Sequence, residues 1–225
     1  MEFPELHNWD LMAKEAIALQ KRLAQRIRLD CRFPDAVQYV AGVDVSYRRG
    51  GGEFFAAVVV LQYSDMRVVE QVTASARVTF PYIPGLLSFR ELPVVLQAFK
   101  KLQAIPDVVL VDGQGVAHPR HLGLASHLGL WIDRPTVGCA KSRLCGEHDS
   151  PGRRRGDRVP LLFENVVVGT VLTTRSGVKP LYVSPGHLLN VPDSAEVVMN
   201  CLGGYRLPEP TRLAHQLANQ ARRDG

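Results

Sequence analysis

Three carboxylates have the types and spacing to do chemistry together: Asp44, Glu91 and Asp112. Asp44 lies in VAGVDVSY, Glu91 in SFRE, and Asp112 directly after the apolar run Val108–Val111. Carboxylate oxygens, with water, are the ligands that Mg²⁺ prefers. Like charges packed together repel unless a cation or a proton sits between them. Bound Mg²⁺ activates a water and neutralises the leaving oxygen of a phosphodiester; a second ion about 3.5–4 Å away would share those roles. The competing reading is three unrelated surface acids, which spacing alone does not exclude. Asp112 also reads as a turn former ahead of Gly113 and Gly115. Glu91 also reads as the end of an S-x-x-E capping box begun by Ser88.

The elements that carry the acids make the chemical reading stronger. Val108–Val111 is bounded by Pro106 and two glycines, the pattern of a strand buried on both faces. Parallel α/β sheets place working residues at the carboxyl ends of strands. This strand therefore delivers Asp112, a flexible turn and then His118 to one sheet edge. From Val37 to Tyr47, Val37, Tyr39, Ala41, Val43 and Val45 alternate with Gln38, Val40, Gly42, Asp44 and Ser46, which predicts another strand. Asp44 shares its face with Gly42 and Ser46, whose small side chains leave room beside the carboxylate. A glycine turn, Gly50-Gly51-Gly52, leads to strands Phe54–Tyr63 and Arg67–Thr73, an antiparallel meander. A helix follows to about Gln103. Pro93 would fall past the first turn of a helix capped by Ser88, so the start is expected nearer Arg90, with Glu91 in the first turn. This helical crossover allows the Asp112 strand to lie parallel to the Asp44 strand, bringing the two aspartates together.

Other segments frame the centre. In TFPYIPGLLSF, two prolines bracket Tyr82-Ile83 and stiffen an extended backbone, and Gly85 permits close approach to the main chain. A rigid loop presenting an aromatic suits a wedge between bases; the plain alternative packs Tyr82 and Ile83 into their own core. Strand Pro135–Ala140 ends in Lys141-Ser142-Arg143, where a cation near two acids could hold a phosphate. A lone lysine is otherwise a surface residue. Residues 8 to about 28 form an amphipathic helix with Met12, Ala16, Leu19, Leu23 and Ile27 on one face, followed by Arg28, Asp30, Arg32 and a stop at Pro34. Short helices are expected at His121–Leu130 and 187–202, with His187 as a cap, and a last one at Pro210 to about Arg222 carrying His215. Val166–Thr173 and Leu181–Ser184 read as strands. Leu144–Pro160 reads as a mobile Arg- and Gly-rich loop that touches nucleic acid backbone.

The chain has 225 residues, 46% of them hydrophobic, enough for one domain spanning 1–225. No stretch approaches the ~20 apolar residues of a membrane span, and the N-terminus lacks an apolar signal core, so a cytoplasmic protein is expected. The four cysteines show no CxxC pair, and Cys139, Cys145 and His148 lack a fourth ligand for zinc. The net charge of +5 suits an anionic partner such as nucleic acid.

In order along the chain, VAGVDVSY, PYIPGLLSFRE, VDGQGVAHPR with GLASHLG, GCAKSRL, PLYVSPGH and RLPEPTRLAH resemble the motifs of the endonuclease V family, from about Tyr39 to His215. The resemblance implies an α/β, RNase H-like fold: a five-stranded mixed sheet, an antiparallel meander followed by parallel strands, flanked by helices. It implies a Mg²⁺-dependent enzyme that recognises deoxyinosine in DNA; a monomer is expected. Such an enzyme cleaves the second phosphodiester bond 3′ to the lesion, leaving 3′-hydroxyl and 5′-phosphate. Asp44 and Asp112 match the metal-binding aspartates and Glu91 the third acid. Lys141 matches a lysine near the scissile phosphate and His215 a histidine near the catalytic centre. Pro81, Tyr82, Ile83 and Pro84 match the wedge; Gly85, Leu87, Gly113 and His118 match segments that read the flipped base. Cys139 stands where an aliphatic residue is usual. The Arg-rich loop near Arg153 belongs to no motif. Two other readings compete: an inosine-specific endoribonuclease with the same acids, and a nucleic-acid-binding module without catalysis.

Overall fold

The computed structural model describes residues 1–31, 33, 36–48 and 52–225. Arg32, the expected stop at Pro34 and most of the expected glycine turn, Gly50 and Gly51, lie outside these residues. The elements run α1 (Ala13–Ala24), β1 (Tyr39–Tyr47), β2 (Glu53–Gln62), β3 (Val68–Arg77), α2 (Leu87–Lys101), β4 (Val108–Val111), α3 (Leu124–Ile132), β5 (Thr136–Ala140), β6 (Arg158–Phe163), β7 (Val166–Leu172), β8 (Leu181–His187), α4 (Val191–Asn200) and α5 (Glu209–Asp224).

One mixed sheet carries the molecule, in the order β3-β2-β1-β4-β5-β8-β7-β6. The expected meander is present: β1 pairs antiparallel with β2, and β2 with β3. After the α2 crossover, β4 pairs parallel with β1, and β5 parallel with β4. The sheet has eight strands, not the expected five. The excess is antiparallel: β8 pairs with β5, β7 with β8 and β6 with β7. Strand β6 begins within the stretch read as a loop, Arg158–Pro160 falling in it and Leu161–Phe163 beyond it, with Pro160 inside the strand. Proline is tolerated on edge strands, and β6 is the sheet's outer edge.

Alternation along β1 assigns its two faces. Ala41 and Val43 pack with Leu92, Val95 and Phe99 of α2 and Leu128 of α3. Val40 packs with Val197 and Val198 of α4 and Ala214 of α5. The four residues of β4 are all buried, as the uninterrupted apolar run requires.

Four helix starts differ from expectation. Helix α3 begins at Leu124 rather than His121, whose φ of +53° is left-handed and cannot open a right-handed helix. Residues 8–12 precede α1 rather than belonging to it, because Trp9 leaves the chain direction to stack on Trp131, with centroids 5.2 Å apart. Helix α2 begins at Leu87, with Pro93 inside it and Glu91 beyond its first turn. Burial of Leu86, Phe89 and Leu92 against α1 and the core outweighs the bond that Pro93 cannot donate. Ser88 does not cap; its buried hydroxyl pairs with His127 Nδ1 at 3.0 Å. His187 is the last residue of β8, buried and paired across from Thr136, and Asn190 caps α4 instead by accepting from Asp193 N–H at 2.8 Å. Among the described residues, no helix is long and apolar enough to cross a membrane.

Candidate active site

The parallel pairing of β1 and β4 sets the two aspartates side by side. Val43 pairs with Val111, and the next residue of each strand is an acid; Asp112 N–H donates to the Val43 carbonyl at 3.1 Å. Both acids follow the even-numbered residues that face α5. The room expected beside Asp44 is filled by that helix. A methyl group added at Gly42 would come within 1.9 Å of the Pro210 carbonyl oxygen, so only glycine lets α5 lie this close. One turn further along α5, His215 Nδ1 meets Asp44 Oδ2 at 2.6 Å.

Asn219, one helical turn beyond His215, was not singled out by sequence. Its Nδ2 donates to the His215 carbonyl at 2.9 Å and to His215 Nε2 at 3.0 Å. Because that carbonyl can only accept, the amide orientation is fixed, and Nε2 must accept. The imidazole therefore carries its proton on Nδ1 and donates it to Asp44. Ser46 completes the row by donating to Asn219 Oδ1 at 3.0 Å. The i, i+4 spacing of His215 and Asn219 was the available signal.

Asp44, Asp112 and His215 each present a ligand atom within 4.8 Å of the others. Glu91 comes from α2, which packs on the opposite face. Burial, reinforced by Asp44 and then Asp112, pushes its carboxyl up to about 8, with Arg90 opposing. Burial and then Asp112 also raise the Asp44 carboxyl. Lys141, just past β5, forms an ion pair with Asp112. The centre is thus three acids that need positive charge, with one lysine supplying part of it. An oxygen-dominated set of this kind fits a hard divalent cation better than a zinc site, which favours sulfur and nitrogen.

Beside the acids lies a small, partly open cavity of about 150 Å³, lined by Tyr82, Ile83, Pro84, Gly85, Leu87 and His118 among others. That is small beside the ~300–1,000 Å³ of drug-sized clefts and suits one planar heterocycle. The residues expected to form a wedge divide. Tyr82 is 70% exposed at the mouth, whereas Ile83 packs partly against Phe89 and Leu122. The Gly85 carbonyl accepts three bonds, from Gln20 Nε2 (3.0 Å), Arg120 Nη2 (2.7 Å) and His118 Nε2 (3.1 Å). Gln20 and Arg120 were missed by the sequence reading; Gln20 sits on the buried face of α1, where an amide is unusual. Gly85 has φ +79°, and a side chain there would strike the Arg120 guanidinium. His118 Nδ1 accepts from Arg120 N–H at 3.1 Å, so its proton is on Nε2. Burial, with Arg120 adding to it, lowers the imidazole to about 4. Leu87 opens α2, and its N–H is one of the donors that a helix start leaves free. Gly113 does not line the cavity; its neighbour Gln114 does. Cys139 is a buried core residue beside Val183 and Cys201.

Comparison with known proteins identifies the class first: the chain is a nuclease, a hydrolase of phosphodiester bonds. It belongs to the endonuclease V family, whose model matches residues 21–216. Endonuclease V of Nostoc punctiforme is 47% identical over 219 residues, covering 97% of this chain and 99% of that protein. The crystal structure of endonuclease V from Streptomyces avermitilis superposes with a TM-score of 0.91 at 42% identity, covering 96% of each chain. Endonuclease V of Ciona intestinalis, solved in complex with a 24mer DNA containing an inosine followed by a ribo-adenosine, has a TM-score of 0.80 at 27% identity, covering 94% of this chain and 98% of that one.

Proposed function

We propose that this protein is a Mg²⁺-dependent, RNase H-like repair endonuclease, acting as a single-domain cytoplasmic monomer on DNA that contains deoxyinosine. It cleaves the second phosphodiester bond 3′ to the lesion and leaves 3′-hydroxyl and 5′-phosphate. The observation that carries the reading is the juxtaposition of Asp44 and Asp112, each one residue past the Val43–Val111 pair of β1 and β4, beside a cavity sized for one base.

Asp44 and Asp112 would hold the cation, with Glu91 as the third acid. Bound there, Mg²⁺ supplies an activated water and charge neutralisation at the leaving oxygen. Lys141 exchanges Asp112 for the scissile phosphate when the nucleic acid arrives. His215 orients Asp44 through the Nδ1 proton and stands ready to move a proton at the same edge. Tyr82 fills the gap left by the extruded base. Inside the cavity, the Leu87 N–H faces the hypoxanthine carbonyl. Adenine would place an amine against that donor, and a buried unpaired polar group costs about 1–3 kcal/mol. The Gly85 carbonyl is already occupied by three donors, so Gly85 contributes shape or its N–H.

A second reading, cleavage of inosine-containing RNA, draws support from the Ciona complex, whose inosine is followed by a ribonucleotide. End-labelled duplexes carrying one deoxyinosine, and the matching inosine RNA, separate the two with Mg²⁺ or EDTA. The expected result is a Mg²⁺-dependent nick one nucleotide beyond the lesion, mainly in DNA, lost in Asp112→Ala while binding persists. Cutting mainly in RNA would move the function to transcripts. No cutting of either would leave a binding module.

A further inference from the structure

The Arg-rich stretch outside every motif forms one wall of a second cleft, of about 730 Å³, that opens beside the acids. Three segments build it. Lys141, Ser142 and Arg143 come from the end of β5, Ser150–Arg153 from the β5–β6 connection, and Gly177–Pro180 from the β7–β8 connection.

The β5–β6 connection is fastened rather than loose, contrary to the mobile loop expected from its composition. Gly156 N–H donates to the Thr173 carbonyl at 2.8 Å and Thr173 N–H to the Asp157 carbonyl at 2.9 Å. Thr173 Oγ1 donates to the Gly152 carbonyl at 2.7 Å, and Gly177 N–H to the Arg153 carbonyl at 3.0 Å. The nearby Asp157 carboxylate is turned onto the Arg154 N–H at 2.8 Å. Arg206 ties the cleft to the acids, because its guanidinium donates to the Lys141 and Pro180 carbonyls at 2.7 and 2.8 Å. Gln114 does the same for the small cavity: it lines that cavity and donates to the Ser142 carbonyl at 2.9 Å.

Arg143, Arg153 and Lys179 are exposed, and among the described residues none of the three enters an ion pair. Arg154 and Arg155, next to Arg153, and Arg175, on the β7–β8 connection, are also exposed and enter no ion pair among the described residues. Held cations of one sign, converging on an open cleft beside a nuclease centre, are built for a polyanion. We propose that this cleft tracks the phosphodiester backbone of the bound nucleic acid next to the cut, with Arg143, Arg153 and Lys179 on successive phosphates. The proposal rests on the nuclease reading but not on the identity of the lesion.

The test is equilibrium binding to a duplex between 50 and 200 mM salt, comparing wild type with the triple variant Arg143→Gln/Arg153→Gln/Lys179→Gln. Among the described residues none of these side chains has a bonding partner in the fold, so the variant should fold; its thermal melt is recorded alongside. A control variant, Arg67→Gln/Lys100→Gln/Lys101→Gln, removes equal charge from the β3–α2 side. Each duplex phosphate contact contributes about 0.9 to the slope of log affinity against log salt, so three contacts lower it by about 2.7, roughly a fortyfold smaller loss of affinity over this range. The control should keep the wild-type slope. An unchanged slope in the cleft variant, or an equal change in the control, overturns the proposal. Because an undamaged duplex serves as probe, failure to cut deoxyinosine would sink the lesion reading without touching this one.

Discussion

At the scale of single residues, the centre depends on one proton's position. Asn219 forces His215 Nε2 to accept, which leaves the proton on Nδ1, hydrogen-bonded to the Asp44 carboxylate. A group that orients a ligand-bearing side chain in this way is typically worth about 10–100-fold in activity. Asn219→Leu should therefore lower kcat about tenfold while leaving KM near its wild-type value, since the side chain touches no substrate. A kcat equal to wild type would remove Asn219 from the site. His215→Ala should slow cleavage further, again more than binding. The acids were legible in the sequence because a strand end and an alternating pattern announce them. Asn219, Gln20 and Arg120 were not: the i, i+4 spacing of Asn219 and the buried amide of Gln20 mark positions but not partners, which arise from contacts of α5 with β1 and of Gln20 and Arg120 with Gly85.

At the scale of elements, the register of α5 on β1 decides whether His215 reaches Asp44. Gly42 sets that register by allowing the Pro210 carbonyl against the strand. Gly42→Ala would drive its methyl into the Pro210–Thr211 backbone of α5, an overpacking that costs about 1–3 kcal/mol. The expected outcome is a lower urea midpoint together with a lower kcat, as His215 withdraws. A variant with wild-type midpoint and wild-type kcat would show that this contact does not hold the helix. The meander, the crossover and the parallel pairing of the acid-bearing strands were readable from period-two alternation and buried runs. The antiparallel addition was not: β6 is short, carries Pro160 and begins in an Arg-rich stretch, so nothing in its composition separates it from a loop. Pro93 misled in the same way, since burial of Leu86 and Phe89 against α1 fixes the start of α2 more strongly than proline opposes it.

At the scale of the whole molecule, the fold keeps several histidines neutral. His7 Nδ1 donates to the Asn8 carbonyl at 2.6 Å, leaving its Nε2 to accept from His127 Nε2 at 2.8 Å. His127 Nδ1 must then accept from the Ser88 hydroxyl. This relay ties the N-terminal segment to the start of α2 and hence to the cavity wall. It works only with both rings uncharged. Burial lowers His7, His118, His127 and His187 from their ordinary value, His127 well below it. Below the unfolded histidine value of about 6.5, the unfolded chain takes up protons that the native rings refuse. Stability from these groups is therefore full above that pH and falls as the pH drops toward the native values. Glu91 and Asp44, raised in the native state, work the other way in metal-free protein, losing stability as the pH rises. The two contributions separate by substitution. His127→Gln should start less stable at pH 7.5, having lost the relay, but its urea midpoint should fall less steeply between pH 7.5 and 5 than that of wild type. Parallel slopes in the two proteins would mean that His127 does not titrate on unfolding, and that the relay is not what couples acid to the loss of the cavity wall.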